Sequence, residues 1–172
     1  MNIALFSDSY IPTKSGVVTV VVQLKKILED MGHHVVVVTV GRGRKECEDG
    51  DPNVFRCKCF VLPQDKGQYF GLPRQKDIIP FLKEHKIELI HAHTEFAIGK
   101  AAVKAGKKLY IPVISSTHTL WELYYKYYLK FAFWLPKSVI RFAVKQLYKK
   151  FYAFVNVSAK AKNYYKEPFM LP

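Results

Sequence analysis

The apolar positions in the first part of the chain follow two different spacings. Between residues 17 and 31 they recur every three or four positions, as on one face of a helix, and the stripe consists of Val17, Val21, Leu24, Leu28 and Met31. Gly32 follows the stripe, where a left-handed helix cap is expected. Residues 35–40 are instead apolar almost without interruption, which is typical of a strand buried on both faces of a parallel sheet.

The same two spacings continue along the chain and predict alternating strands and helices. Strands are expected at residues 2–7, 35–40, 54–62, 87–92, 112–116 and 153–157, and helices at 17–31, 78–85, 97–109, 138–152 and 159–166. Loops are expected at residues 9–16, 41–53 and 63–73. This alternation indicates right-handed strand–helix–strand units. The predicted fold class is α/β, a single Rossmann-like domain over residues 1–172 with a mainly parallel sheet flanked by helices.

Two details of these elements can be tested directly. Alternation along residues 54–62 points Arg56 and Lys58 outward and Phe55, Cys57 and Cys59 inward. Pro80 is expected near the first turn of its helix, where a missing N–H group is tolerated.

Composition narrows the class of protein. With 49% hydrophobic and 15% aromatic residues in 172 positions, the chain is not a disordered tail. No apolar run approaches the roughly 18 to 20 residues that a membrane-spanning helix needs. The N-terminus shows no signal-peptide pattern, and three cysteines are too few for a disulfide scaffold. We therefore expect a cytoplasmic domain whose partner is anionic.

The net charge of +13 is concentrated in the second part of the chain. Residues 1–100 hold 14 basic and 12 acidic side chains, whereas residues 101–172 hold 13 basic and 2 acidic ones. The aromatic residues follow the same trend, because 13 of the 25 lie between residues 120 and 154. The second part of the chain therefore carries most of the information about a partner.

Basic and aromatic side chains between residues 121 and 152 predict a surface that lies in a membrane interface. The residues assigned to this surface, which would also receive a lipid acceptor, are Trp121, Tyr124, Tyr125, Lys126, Tyr128, Lys130, Trp134, Lys137, Arg141, Lys145 and Lys149. One alternative is a helix that packs its apolar side on the sheet and leaves its lysines in solvent. Another is a module that binds single-stranded nucleic acid, although no RNA-binding signature occurs and nucleic acid is not expected.

Candidate chemistry lies in the loops that follow the predicted strands, where α/β proteins bind ligands. Ser15, Gly16 and Val17 open the first helix, so a ligand could approach the backbone N–H groups there. The pattern is neither a dinucleotide fingerprint nor a Walker A loop, and a simple turn glycine is the alternative. His91 and His93 lie two apart and face the same way; a metal pair is conceivable, but no third ligand is evident. We favour one packed histidine and one that faces the cleft.

The order of these motifs resembles a known family. Asp8-Ser9-Tyr10-x-Pro12 with Ser15-Gly16-Val17, then Gly32-His33, Ile90-His91-x-His93, Thr117-His118-Thr119 and Val157-Ser158-Ala159 are similar to the N-terminal half of retaining GT-B glycosyltransferases of the family 4 type. Within this family the diacylglycerol glucosyltransferases are the most similar group, judged by the aromatic segment that follows Thr119.

The resemblance implies a two-domain enzyme in which this chain is the acceptor-side half. The C-terminal domain, which would bind the nucleotide-sugar, is expected to be missing, so that the chain is inactive alone. The implied reaction moves a hexose, expected to be glucose from UDP-glucose, to a lipid such as diacylglycerol at the inner face of the cell membrane. A soluble or polysaccharide acceptor, or a non-enzymatic basic module, remains the alternative. Neither a cofactor nor a metal ion is expected.

The resemblance also implies roles for individual residues. His118 is the catalytic candidate, because the corresponding histidine contacts the donor sugar near the reacting carbon. The substrate-binding candidates are Asp8, Ser15, Gly16, Val17, His93, Glu95 and Thr119. An oxocarbenium-like transition state with negative charge growing on the leaving phosphate needs donors of this kind. It does not need the carboxylate pair of glycosidases.

Overall fold

The structure is a computed structural model that describes residues 1–41, 51–62, 65–118, 136–156, 158–159 and 162–163. Its strands are β1 Asn2–Phe6, β2 His34–Val40, β3 Val54–Cys57, β4 Cys59–Leu62, β5 Asp65–Gly71, β6 Leu89–Ala92, β7 Val113–Thr117 and β8 Ala153–Asn156. Its helices are α1 Gly16–Asp30, α2 Gln75–Glu84, α3 Ala97–Leu109 and α4 Lys137–Tyr148. No helix within these residues is long and apolar enough to cross a membrane.

The main sheet of the described residues has the order β3-β2-β1-β6-β7-β8, and all its neighbouring strands are parallel. The predicted α/β, Rossmann-like class with a parallel sheet is confirmed. The strand order reverses next to β1, since β2 lies on one side of it and β6 on the other. Such a reversal opens a crevice at the carboxyl ends of the two central strands, where α/β proteins bind ligands.

Alternate side chains of the central strands point to opposite faces of the sheet and build two cores. On one face Leu5 and Val37 pack with Val21 of α1. On the other face Phe6 and Val38 belong to a larger cluster with residues of α2, α3 and α4, among them Ile78, Leu82, Ile98, Ala102 and Tyr148. The continuous apolar run at 35–40 is therefore explained by burial on both faces.

The predicted first helix and its stop are confirmed. Ser15 is the N-cap of α1, and its Oγ accepts a hydrogen bond from the backbone N–H of Val18. Gly32 follows the C-cap Met31 with a φ of +83°, and its N–H group donates to the carbonyl of Glu29. The helical stripe outweighs the β-branched residues at 17–22, because Val21 is buried in the core between α1 and the sheet.

The predictions for residues 54–73 are partly wrong. The single strand expected at 54–62 is divided at Lys58 into β3, which joins the main sheet, and β4, which pairs antiparallel with β5. The loop expected at 63–73 contains β5, a strand whose polar sequence gives no apolar pattern. Gly71 lets this pair approach the sheet, since a Cβ there would lie 2.5 Å from Cγ1 of Val40.

Arg56 was expected to point outward and is instead buried, with 9% of its surface exposed. Its Nη1 donates to the carbonyl of Val40 at 3.2 Å, and its Nη2 donates to the carbonyl of Ile11 at 2.6 Å. The guanidinium also lies 6.0 Å from the centre of the Tyr10 ring. Two backbone acceptors and an aromatic face therefore offset the cost of removing this charge from water.

The remaining element predictions that fall on described residues hold with small shifts, except that the helix expected at 138–152 ends earlier, at Tyr148. Helix α2 begins at Gln75, three residues earlier than predicted, so Pro80 lies beyond the first turn. Helix α3 has the predicted bounds. The helix expected at 159–166 lies largely outside the described residues.

Candidate functional site

The candidate site lies where β1 and β6 end side by side. The chain leaves β1 toward α1 on one face of the sheet and leaves β6 toward α3 on the other. We call residues 7–16 the β1–α1 junction and residues 93–99 the β6–α3 junction. These two junctions and the end of β7 carry the predicted catalytic and substrate-binding residues that the structure describes, except for Val17, which follows Gly16 in α1.

The N-terminus of α1 is open. Ser15 and Gly16 are exposed, and a Cβ built on Gly16 would meet no described atom within 4 Å. Val17 is half-buried and packs with the core on the α1 face. Packing therefore does not require glycine at position 16. The first turn of α1 instead presents backbone N–H groups and the positive end of the helix dipole at the edge of the crevice.

The N-terminus of α3 is occupied by the side chain of Asp8. Its Oδ1 accepts a hydrogen bond from the backbone N–H of Ile98 at 3.1 Å, and its Oδ2 accepts one from Oγ1 of Thr94 at 2.5 Å. Phe96, the N-cap by position, makes no capping bond with its side chain. Burial raises the pKa of Asp8, against the lowering effect of these hydrogen bonds. Asp8 therefore acts as a cap supplied from a distant part of the chain.

The β6–α3 junction is tightly packed around this carboxylate. The Oγ1 of Thr94 accepts a hydrogen bond from the backbone N–H of Asp8 at 2.9 Å. A Cβ on Gly99 would overlap the backbone carbonyl of Thr94, so only glycine fits there. Glu95 is buried and accepts a hydrogen bond from the hydroxyl of Tyr148 at 2.5 Å. Because Tyr148 is fully buried, this bond ties α4 to the junction.

Three histidines form a column beside the junction. The rings of His91 and His93 lie 4.2 Å apart, and those of His93 and His118 lie 5.5 Å apart. The Nδ1 of His93 lies 3.2 Å from the Nε2 of His118, and the Nε2 of His91 lies 2.8 Å from the Oγ of Ser116. Both His91 and His93 are buried, so neither faces an open cleft. His118 is half-buried and is the outermost member.

Burial keeps this column uncharged. It lowers the pKa of His91 to about 4, with the nearby His118 as a second cause. It lowers the pKa of His93 to about 2, to which His91 and His118 contribute. Burial also lowers the pKa of His118. At neutral pH the column can therefore give or accept hydrogen bonds but offers no positive charge.

The metal pair considered for His91 and His93 gains no support from the described residues. They contain no group of three or more histidine, cysteine, aspartate or glutamate side chains placed to hold a metal ion. The hydrogen bond to Ser116 and the ring contacts account for the position of His91.

The basic aromatic surface is described only in part. Thr119 and the segment that holds Trp121, Tyr124, Tyr125, Lys126, Tyr128, Lys130 and Trp134 lie outside the described residues. Lys137 begins α4. Arg141 and Lys149 are exposed, and Lys145 is half-buried.

Helix α4 packs on the sheet with one face and leaves apolar and basic side chains exposed on another. Tyr148, Val144 and Leu147 pack on the core, as the alternative of a sheet-packed helix requires. Phe142 and Val139 nevertheless remain 63% and 46% exposed beside basic residues. The helix therefore has one face on the sheet and a second apolar and basic face in solvent.

Sequence reasoning missed four residues that hold the site together, namely Thr94, Ser116, Tyr148 and Arg56. Thr94 lies between the predicted site residues His93 and Glu95, and Ser116 lies two positions before His118. Their position at the ends of β6 and β7 was the available signal. Tyr148 lies within the helix predicted at 138–152 but is not among the predicted site residues. No local pattern shows that its hydroxyl meets Glu95, 53 positions away.

Comparison with known proteins gives concordant matches. A family model described as Glycosyltransferase Family 4 matches residues 14–172. The chain is 37% identical over 144 residues to an alpha-monoglucosyldiacylglycerol synthase of Acholeplasma laidlawii, which covers 83% of this chain and 34% of that protein. It is 32% identical over 150 residues to an alpha-monoglucosyldiacylglycerol synthase of Streptococcus pneumoniae, covering 84% of this chain and 32% of that protein.

A more distant relative is named for a different activity. A GDP-mannose-dependent alpha-mannosyltransferase of Corynebacterium glutamicum is 27% identical over 122 residues, which cover 69% of this chain and 29% of that protein. The chain spans about a third of the length of the curated relatives that it matches.

Proposed function

The chain belongs to glycosyltransferase family 4, and from this premise we propose that it is the acceptor-side domain of an enzyme that transfers glucose from UDP-glucose to diacylglycerol. Two relatives at 37% and 32% identity are named for glucosylated diacylglycerol, which supports a lipid acceptor. Because the relatives are about three times longer than the matched segment, we propose that the donor binds mainly to a further C-terminal domain and that this chain alone transfers no sugar.

The proposal rests on a contrast between two helix N-termini at the crevice. The N–H groups of α1 are unobstructed, whereas an N–H group of α3 is bonded to Asp8. The first turn of α1 is unobstructed at Gly16, so its N–H groups can meet the leaving phosphate of the donor. His118 is half-buried and adjoins the crevice through its contact with His93. A neutral His118 can donate to a sugar hydroxyl or a phosphate oxygen, and Ser15 and Val17 hold the turn that presents Gly16.

The proposed catalysis is electrostatic. As the bond between the sugar and the phosphate breaks, negative charge grows on the leaving oxygen, and preorganised N–H donors stabilise that charge more than they stabilise the ground state. Asp8 and Glu95 act indirectly in this scheme. Their carboxylates hold the N-terminus of α3 and Tyr148, and thereby fix the wall of the crevice opposite Gly16.

The test is a chimera in which residues 1–172 replace the matched segment of the Acholeplasma laidlawii relative. We expect transfer from UDP-glucose to diacylglycerol in vesicles, little transfer from GDP-mannose, and none from this chain alone. His118→Ala in the chimera should lower kcat/KM by about 100-fold. His34→Ala, at the amino end of β2 and so at the opposite end of the strands from the crevice, should leave kcat/KM within about twofold. A folded chimera that glucosylates only soluble sugars would refute the lipid acceptor.

We also propose that the exposed face of α4 binds an anionic membrane surface, together with the aromatic segment before it. Phe142 and Val139 are exposed next to Arg141 in the first half of α4, and the exposed Lys149 and Lys150 follow its C-terminal end. Apolar side chains at the headgroup boundary and cations toward phosphates are the arrangement of interfacial helices. Each lysine near such a surface contributes about 1 kcal/mol.

A matched pair of double variants tests this surface. Lys149→Glu with Lys150→Glu should weaken binding to vesicles of phosphatidylglycerol by at least about tenfold, since four units of charge change. Lys107→Glu with Lys108→Glu, two exposed neighbours at the end of α3, makes the same charge change elsewhere. Equal losses in both would indicate general attraction of a basic protein. Tighter binding to a single-stranded oligonucleotide than to vesicles, at equal salt, would favour the nucleic-acid alternative.

A further inference from the structure

The contact between His93 and His118 restricts which ring nitrogens of the two residues can carry a proton. The Nδ1 of His93 and the Nε2 of His118 lie 3.2 Å apart, so one of the two nitrogens carries the proton that joins them. His93 is only 1% exposed, and its other nitrogen, Nε2, has no hydrogen-bond partner among the described residues. The two possible positions of the proton therefore differ in what they leave buried.

If His118 donated the proton, a neutral His93 would carry its own hydrogen on the buried Nε2. That hydrogen would have no acceptor, and an unpaired buried N–H group is rare and costly. If His93 donates from Nδ1, its Nε2 is a bare acceptor, which is the more tolerable state. The same burial lowers the pKa of His93 to about 2, so the ring has one proton and not two.

We propose that His93 is a positioning residue that donates a hydrogen bond from its Nδ1 to the Nε2 of His118 and so holds His118 in the tautomer protonated at Nδ1. His118 then offers an N–H donor to its ligand, whose contacting atom must be an acceptor such as a phosphate oxygen or a sugar hydroxyl oxygen. His91 supports the arrangement from behind. Its ring lies 4.2 Å from that of His93 and its Nε2 is held by Ser116.

The consequence for catalysis rests on the proposed function, but the tautomer itself does not. It can be measured on this chain by nitrogen-15 NMR at neutral pH, because protonated and unprotonated ring nitrogens resonate far apart. We expect His118 to show a protonated Nδ1 and an unprotonated Nε2, and His93 to show a protonated Nδ1. A His118 protonated at Nε2, or an even mixture of the two tautomers, would overturn the proposal.

Two substitutions separate positioning from packing. His93→Asn places an amide N–H close to the position of Nδ1, and should keep the His118 signals near their original values. His93→Leu fills similar space without a donor, and should shift His118 toward a mixture of tautomers. An unchanged His118 in the folded His93→Leu variant would show that His93 does not set the tautomer. The spectrum of the unsubstituted chain decides the question if this variant does not fold.

A second histidine pair in the same molecule supplies the control. The Nε2 of His34 lies 2.9 Å from the Nδ1 of His85, with stacked rings, at the amino end of β2 and the end of α2. His34→Asn and His34→Leu should leave the tautomer of His118 unchanged. If they shift it as much as the His93 variants do, the effect is a general loosening of the fold, and the proposal fails.

The chimera described above links the tautomer to activity. There His93→Leu should lower kcat by at least about tenfold with less change in KM, and His93→Asn should recover most of the loss. An inactive chimera with the expected tautomer would refute the proposed function and leave this inference standing. An active chimera whose His118 is protonated at Nε2 would refute this inference and leave the proposed function standing.

Discussion

The helices α1 and α3 begin at neighbouring places on the sheet, and their N-termini are built in opposite ways. The first turn of α1 is capped locally by Ser15 and is open in front of Gly16. The first turn of α3 is capped by Asp8 from across the crevice, and Gly99 is pressed against the Thr94 carbonyl. A helix N-terminus attracts anions in either case. In α3 a carboxylate of the protein already meets that need, so α1 is the terminus left for a ligand.

The largest expected difference in stability is between alanine substitutions at the two helix N-termini, Gly99→Ala in α3 and Gly16→Ala in α1. Gly99→Ala would force the β6–α3 junction to move, so we expect a loss of about 3 kcal/mol or more in the free energy of unfolding. Gly16→Ala has room and a compatible backbone, and should change that free energy by less than about 1 kcal/mol. Urea unfolding of both variants checks this, and equal losses would erase the distinction between open and closed termini.

Removing the cap of α3 should lower the free energy of unfolding more than removing the cap of α1. Asp8→Ala leaves the N–H group of Ile98 and the hydroxyl of Thr94 without their acceptor in a buried place, and should cost about 3 kcal/mol. Ser15→Ala removes one bond at an exposed terminus and should cost about 1 kcal/mol. The comparison would be contradicted if Ser15→Ala proved the more damaging in urea unfolding.

The bond between Tyr148 and Glu95 extends the closed side of the crevice to α4. Tyr148→Phe removes the donor from a buried carboxylate, and we expect a loss of about 2 kcal/mol. Tyr152→Phe is the matched control, because Tyr152 is 82% exposed and the change should have almost no effect. Thermal unfolding is sufficient here, and a stable Tyr148→Phe variant would show that α4 does not depend on this bond.

Acid should weaken the side of the crevice that holds the buried histidines. The pKa of His91 is lowered to about 4 and that of His93 to about 2, whereas in the unfolded chain both bind protons near 6.5. Stability is therefore fully present above pH 6.5 and falls as the pH drops below it, by about 1.4 kcal/mol per pH unit for each histidine.

The variant His93→Asn isolates one of these protons. Between about pH 6.5 and 5 the slope of unfolding free energy against pH should decrease by up to about 1.4 kcal/mol per unit. Urea unfolding at several pH values measures the slope. A variant with the slope of the unsubstituted chain would mean that His93 is protonated equally in the folded and unfolded states.

The sequence predicts well those features that depend on nearby residues. The stripe from Val17 to Met31 and the stop at Gly32 define α1, since periodicity and capping are local properties. Two-residue spacing also places His91 and His93 on one side of β6. That His118 joins them follows only once β6 and β7 are neighbours, which the sequence does not state.

Features that depend on distant partners were not predicted. Arg56 alternates as an outward residue, yet the carbonyls of Val40 and Ile11 draw it inward. Strand β5 is extended because it pairs with β4, and its own sequence has no apolar pattern that would predict a strand. Asp8 is a substrate-binding candidate by resemblance, and no local pattern shows that its side chain contacts Thr94, 86 positions away.

The reversal of strand order between β1 and β6 has a consequence for engineering. The crevice exists because successive connections leave the sheet in opposite directions, so it is a property of the path of the chain and not of any side chain that lines it. The segments after β1 and β6 are joined by the hydrogen bonds between Asp8 and Thr94, so we expect that they can be exchanged for those of a relative only as a pair, with the strands beneath them unchanged. Paired transplants of this kind would test which ligand the proposed site prefers on an unchanged scaffold.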